Sequence, residues 1–129
     1  MARSTRRLKA AAALAVAALA LGACGSEGIE LASGEPNYEG AVLFKENCAM
    51  CHSLAVAGAK GSATDVSSRE RKDGPNFNER KETVEDVLYA IRNGGFSSGP
   101  MPQNILTGED AQKVAEFVAK YSGGGSGSE

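Results

Sequence analysis

Five consecutive residues, Cys48-Ala49-Met50-Cys51-His52, set two thiols, a thioether and an imidazole about one helical turn apart. Four chemistries use such a set. A zinc site needs about four N, S or O ligands, yet the chain has three Cys and one His, and no second cluster carries metal-ligand spacing. A thioredoxin-like redox pair belongs in a βαβ context, and no strand–helix–strand alternation is legible. A surface disulfide between Cys48 and Cys51 would be the plainest use. The fourth is covalent haem, whose c-type attachment signature is Cys-x-x-Cys-His. Two thiols one turn apart can reach the vinyl groups on one porphyrin edge, and the next residue places an imidazole under the iron. The haem reading is favoured.

A bound iron would need a sixth ligand, which follows by elimination. His52 is the only His, and the chain has three Met. Met1 belongs to a leader segment. Met50 lies between the two Cys and cannot reach the opposite face of the ring. Met101 remains, 49 residues after His52, in Ser98-Gly99-Pro100-Met101-Pro102. An isolated Met is usually core filler, but the flanking prolines fix its backbone and keep it out of regular helix. His plus Met ligation leaves no open position for oxygen or peroxide, and a thioether raises the reduction potential. Such a centre suits one-electron transfer and does not suit substrate turnover.

Three helices are expected to position these groups. Asn37 is a plausible N-cap for a helix to about Cys51, with Ala41, Leu43, Phe44, Cys48 and Cys51 near one side. Thr83 with Asp86 resembles a capping arrangement. Val84, Val87, Leu88 and Ile91 then keep helical period until Asn93-Gly94-Gly95 stops it. Thr107 with Asp110 opens a last helix carrying Ala111, Val114, Ala115, Val118 and Tyr121, with Phe117 beside them. No stretch alternates at period two, so the fold class is all-α. Between His52 and Thr83 the chain is mostly unpatterned, and a loop of this length is tolerable if it wraps a bound object. Its charged run, Arg69-Glu70-Arg71-Lys72-Asp73, reads as solvated surface.

The ends of the chain have other duties. Arg3 to Lys9 is basic, and Ala10 to Leu21 is an apolar run of 12 residues, too short for the roughly 20 needed to span a bilayer. This is the layout of a secretory signal. Its end, Leu21-Gly22-Ala23-Cys24, resembles the lipobox of bacterial lipoproteins, which implies cleavage before Cys24 and lipid on its sulfur. An ordinary signal cut after Ala18-Leu19-Ala20 would instead leave Cys24 as a free thiol. The expected organisation is a signal over 1–23, a Gly/Ser/Glu-rich flexible tether over 24–36, a folded domain over 37–121 and a flexible tail over 122–129. Without residues 1–23, which hold four basic and no acidic side chains, 106 residues remain with 10 basic and 16 acidic side chains, a formal charge of −6. That balance excludes a nucleic-acid binder driven by phosphate contacts. Seven aromatics and no Trp are a thin stock for a core, which a bound apolar cofactor would supplement.

From about Asn37 to Tyr121 the chain resembles a class I monohaem cytochrome c of the small bacterial type. The resemblance implies a helical fold with crossed first and last helices and one haem in a crevice. Gly40 and Phe44, facing Phe117 and Tyr121, are similar to the family's helix-crossing residues. Asp73-Gly74-Pro75-Asn76-Phe77 resembles the segment whose Pro carbonyl accepts a hydrogen bond from the proximal His, a role that would fall to Pro75. Twenty-two residues separate His52 from Pro75, more than small members of the family have, so an elaborated surface loop over one haem edge is expected. The implied function is a membrane-tethered, extracytoplasmic electron carrier working between a quinol-oxidising complex and a terminal oxidase or another acceptor. Alternatives are a haem subunit serving a separate dehydrogenase, a gas sensor in which Met101 is displaced, or a lipoprotein holding Cu(I) on its soft ligands. The residues expected around the haem edge, Ala49, Met50, Ala55, Gly99, Pro100, Pro102, Gln103 and Asn104, are uncharged. Partner contact is therefore expected to be mainly apolar, with acidic charge at the periphery.

Overall fold

The computed structural model describes residues 28–63, 66–95 and 99–124. Residues 1–27, on which the signal and Cys24 lipidation readings fall, and residues 125–129 lie outside the described residues. Three helices make the frame: α1 (Tyr38–Asn47), α2 (Val84–Asn93) and α3 (Gly108–Tyr121). The all-α expectation holds apart from one small antiparallel ribbon. In it β1 (Ser53–Leu54) pairs with β2 (Ala59–Lys60), Ser53 opposite Lys60, around a 3-10 turn over Ala55–Ala57.

Local chemistry accounts for the helix ends. Thr83 Oγ1 accepts from the Asp86 N–H at 3.1 Å while the Asp86 carboxylate reaches back to the Thr83 N–H, a reciprocal cap at the start of α2. Gly94, at φ 78°, closes α2 in the left-handed conformation that glycine adopts without strain. Thr107 stands at the start of α3 without a side-chain capping bond. Asn37 precedes α1 at φ 68° and likewise makes no such bond. The first helix ends four residues before the expected Cys51. The side-chain amide of Asn47 donates to the Leu43 carbonyl at 2.8 Å. The Cys48 N–H keeps its helical bond to the Phe44 carbonyl, but the Ala49 N–H joins it on that same oxygen, five residues back, out of helical register. That change of register ends the helix, so the two thiols stand on the turn that follows α1.

The core forms where α1 and α2 each pack on α3. Ala41 and Phe44 from α1, Val87 and Ile91 from α2, and Ala111, Val114, Ala115, Phe117, Val118 and Tyr121 from α3 are buried. The first and last helices meet at Gly40. A Cβ there would press on the Lys113 carbonyl and sit 2.8 Å from Phe117 Cβ. Phe44 packs against Phe117 with ring centroids 5.8 Å apart, and Phe117 against Tyr121 at 5.3 Å. Gly40→Ala gains helix propensity, about 1 kcal/mol, but its methyl meets backbone that cannot step aside. Overpacking of this kind costs about 1–3 kcal/mol. The expected outcome is a lower urea midpoint with the m-value unchanged; an equal or higher midpoint would count against this close crossing.

Two expected boundaries differ. Residues 28–36, expected as free tether, lie partly on the domain: Ile29 and Leu31 pack against the core, and the Glu30 N–H donates to the Val56 carbonyl at 2.9 Å. Apolar Ile29 and Leu31 among Gly, Ser and Glu were enough to seat this irregular segment. At the other end Ser122 is buried, its Oγ accepting from the Glu82 N–H at 3.0 Å, and the Gly123 N–H donates to the Phe77 carbonyl. The tail therefore leaves the domain at least two residues later than expected. Within the long loop, Arg69, Glu70, Arg71 and Lys72 are exposed, with Lys72 paired to Glu70 and Asp73.

Candidate functional site

The turn after α1 presents the two thiols. The N–H groups of Cys51 and His52 both donate to the Cys48 carbonyl, at 3.1 and 3.0 Å, closing Cys48–His52 into one tight turn. Both cysteines are half-buried and free, so the disulfide alternative is not formed. Burial, reinforced by neighbouring Cys51, pushes the Cys48 thiol up to about 12. It therefore stays protonated at neutral pH, unlike the activated thiolate of a redox pair. Gly61 lies against this turn, where a Cβ would come within 2.6 Å of the Cys51 nitrogen. Side chains are excluded there, and the Gly61 N–H donates to the His52 carbonyl at 3.2 Å.

His52 is almost fully buried. Its Nδ1–H donates to the Pro75 carbonyl at 3.1 Å. With Nδ1 as the donor, the lone pair resides on Nε2, the nitrogen left for a metal. Burial lowers the pKa of the ring, and the Pro75 bond only partly opposes that. The imidazole is thus neutral at pH 7, as ligation requires. Phe77 stacks on it with centroids 4.6 Å apart and planes 6° from parallel. Gly74 supplies the close approach: a Cβ would fall 2.6 Å from Nδ1 and 2.7 Å from Nε2.

The 22 residues between His52 and Pro75 are spanned by backbone pairing. Ser53 bridges Asn76 in parallel, the Phe77 N–H donates to the Ser53 carbonyl at 2.9 Å, and the Gly74 N–H donates to the Cys51 carbonyl at 2.6 Å. Asn78 holds the ribbon from outside, its Oδ1 accepting from the Ala55 N–H at 2.7 Å. The long loop thus returns the Gly74–Phe77 segment to the His52 ring.

Met101 is half-buried against the core on a segment docked at the end of α2. A Cβ on Gly94 would lie 2.7 Å from the Met101 carbonyl, and one on Gly95 would lie 3.8 Å from its sulfur. The Asn104 N–H donates to the Ile91 carbonyl at 2.7 Å, which ties the segment down. Residues 96–98, including the Ser98 that begins the expected Met loop, lie outside the described residues, as does Cys24.

Several contributors escaped the sequence reading. Gly61 and Ser62 lie in a stretch that read only as loop, yet one abuts the Cys turn and the other hydrogen-bonds the Pro75 carbonyl at 3.0 Å. Gly94 and Gly95 read as a helix stop and also seat Met101. Neither role has a sequence signal, because each depends on a segment distant in the chain.

The donor set fits a covalently held porphyrin. Two unpaired thiols follow one another on a turn, and the adjacent imidazole has its Nδ1 proton committed to a carbonyl. Among the described residues, no group of three or more His, Cys, Asp and Glu side chains could hold a bare metal ion. Comparison with known proteins agrees. The Cytochrome c family model matches residues 38–122. A chloroplastic cytochrome c6 from Chlamydomonas reinhardtii is 32% identical over 115 residues, covering 85% of this chain and 69% of the relative. The crystal structure of the c-type cytochrome SorU from Sinorhizobium meliloti aligns at a TM-score of 0.54 and 36% identity, over 70% of this chain and 95% of that one. With α1 and α3 crossed at Gly40 and little strand, the architecture is that of a class I cytochrome c. The chain belongs to the cytochrome c family, an electron carrier with one covalently bound haem c.

Proposed function

We propose that this cytochrome is a lipid-anchored, extracytoplasmic one-electron carrier. Cys48 and Cys51 make the thioether links, His52 and Met101 are the axial ligands, Pro75 orients His52, and Cys24 carries the lipid. Its donor would be a quinol-oxidising complex or a dehydrogenase, and its acceptor a terminal oxidase. The observation that carries the ligand assignment is the 3.1 Å bond from His52 Nδ1–H to Pro75, which leaves Nε2 as the free nitrogen of a buried, neutral ring.

The bound haem supplies the Fe(III)/Fe(II) couple. Around it the chain's own groups do three things. Pro75 keeps the proton on Nδ1, while Gly74 and Phe77 hold the ring's orientation. Met50, 79% exposed between the two cysteines, offers an apolar contact beside the attachment turn. The segment seated from Ile29 would shorten the link to the membrane. Only four residues separate Cys24 from Ile29, so the fully extended reach between those two residues is about 18 Å. A carrier on such a link stays beside the bilayer at high local concentration.

The experiment is fractionation and spectroscopy of the full chain expressed in a bacterium that matures c-type haem. The wild-type protein is expected in the membrane fraction with sharp reduced c-type bands and a sulfur-to-iron charge-transfer band. Cys24→Ser is expected to release the same pigment into the soluble extracytoplasmic fraction. Wild-type protein that is soluble refutes the anchor, and a colourless protein containing copper refutes the ligand set.

A further inference from the structure

The Pro75 carbonyl that accepts from His52 has a second donor. Ser62, ten residues after His52 and nearly buried, donates its hydroxyl to the same oxygen at 3.0 Å. The hydroxyl is itself held: Ser62 Oγ accepts from the Ser53 N–H at 2.9 Å, and the Ser62 N–H donates to Ser53 Oγ at 3.0 Å. A serine hydroxyl has a single proton and a carbonyl oxygen two lone pairs. With Ser53 N–H occupying the acceptor side of Oγ, the proton is directed at Pro75, and both lone pairs of Pro75 are engaged.

We infer that Ser62 is a positioning residue for the axial imidazole, sharing the Pro75 carbonyl with His52 Nδ1–H and so limiting how basic the ring becomes. This rests on the reading that His52 ligates the iron. A carbonyl already accepting from a hydroxyl draws less strongly on a second N–H. The ring then carries less imidazolate character and pushes less electron density onto the metal. Hydrogen bonding around the ligand is one of the levers a protein has on haem potential, and here the lever acts toward a higher potential. Ser53 anchors Ser62 without touching the Pro75 carbonyl, which separates its contribution from that of Ser62.

The test is redox titration of the haem-loaded full chain, with NMR of the His52 Nδ1 proton in the reduced state. Ser62→Ala is expected to shift the oxidised-to-reduced equilibrium about two- to tenfold toward Fe(III), a fall of about 20–60 mV for one electron. The Nδ1 proton is expected to exchange more slowly as its bond to Pro75 tightens. Ser62→Thr, which keeps the hydroxyl, should restore both readouts. Ser53→Ala orphans the Ser62 N–H and should lower thermal stability, with less than half the change in potential. An unchanged or raised potential in Ser62→Ala overturns the inference, as does an equal shift in Ser53→Ala. Should Ser62→Ala fail to accumulate, Ser62→Cys takes its place: its weaker S–H donor should give an intermediate fall, and no fall overturns the inference. Failure of the underlying ligation shows separately, as a wild-type protein without a low-spin c-type spectrum.

Discussion

Exchanging Cys48 and Cys51 together for serine will yield a chain without covalent pigment that has lost most of its helical signal. The expected drop in haem per mole of protein exceeds about tenfold, because each thioether forms only when a thiol adds across a vinyl group. Structural loss follows from the core. Phe44, Phe117 and Tyr121 pack in a row, and Phe77 reaches Phe44 at 6.0 Å while stacking on His52. Half-buried Cys48, Ala49, Phe77 and Met101 border this core. Cys48 and Met101 are themselves assigned to the haem, whose apolar surface would complete the burial of this border. Binding free energy available only to the folded chain is folding free energy. Acid-acetone extraction, which removes non-covalent haem, together with far-UV circular dichroism of purified protein checks the result. Full pigment retention by the serine variant after extraction would overturn the attachment assignment.

Met101→Ala should keep the pigment and change its electronics. The two thioethers and His52 remain, so attachment is unaffected. The lost thioether removes the soft ligand that favours Fe(II), and the potential should fall on the order of 0.1 V, out of the roughly 0.8 V that axial ligation spans. Carbon monoxide, which a parent with both assigned ligands would exclude, should then bind the reduced protein rapidly, and the sulfur-to-iron band should vanish. The half-buried position of Met101 against the Gly94–Gly95 end of α2 is the structural basis for this expectation. An unaltered spectrum in Met101→Ala would place the sixth ligand elsewhere.

Much of this molecule is legible in its residues because the signals are local. The three helical segments show in apolar spacing, Thr83 and Asp86 form the cap their types suggest, and Gly94 stops α2. The attachment turn is legible for the same reason: Cys48, Cys51 and His52 are neighbours in the chain. Pro75 is 23 positions from His52 and was named only through resemblance; the hydrogen bond at 3.1 Å is a matter of the fold. Helix ends were less legible. The Ala49 N–H reaches back five residues to the Phe44 carbonyl and the Cys51 N–H only three to Cys48, a loss of helical register that apolar spacing does not signal. Composition misleads over residues 28–36, since Gly, Ser and Glu suggest a free linker while Ile29 and Leu31 find apolar surface.

Chemistry carried by covalent neighbours was therefore determined by the sequence alone: two thiols and an imidazole in order, helices of the right period, an acid-rich chain behind a basic first stretch. Tertiary structure decided what those groups meet. Only folding brings Gly40 against Lys113 and Phe117, Gly74 and Phe77 against His52, Ser62 onto the Pro75 carbonyl, and Ile29 onto the core. Spacing along a chain specifies contacts within a turn or two, whereas contacts between distant segments depend on how the whole core closes. The ring's orientation, its protonation and the seating of Ile29 all belong to that second kind.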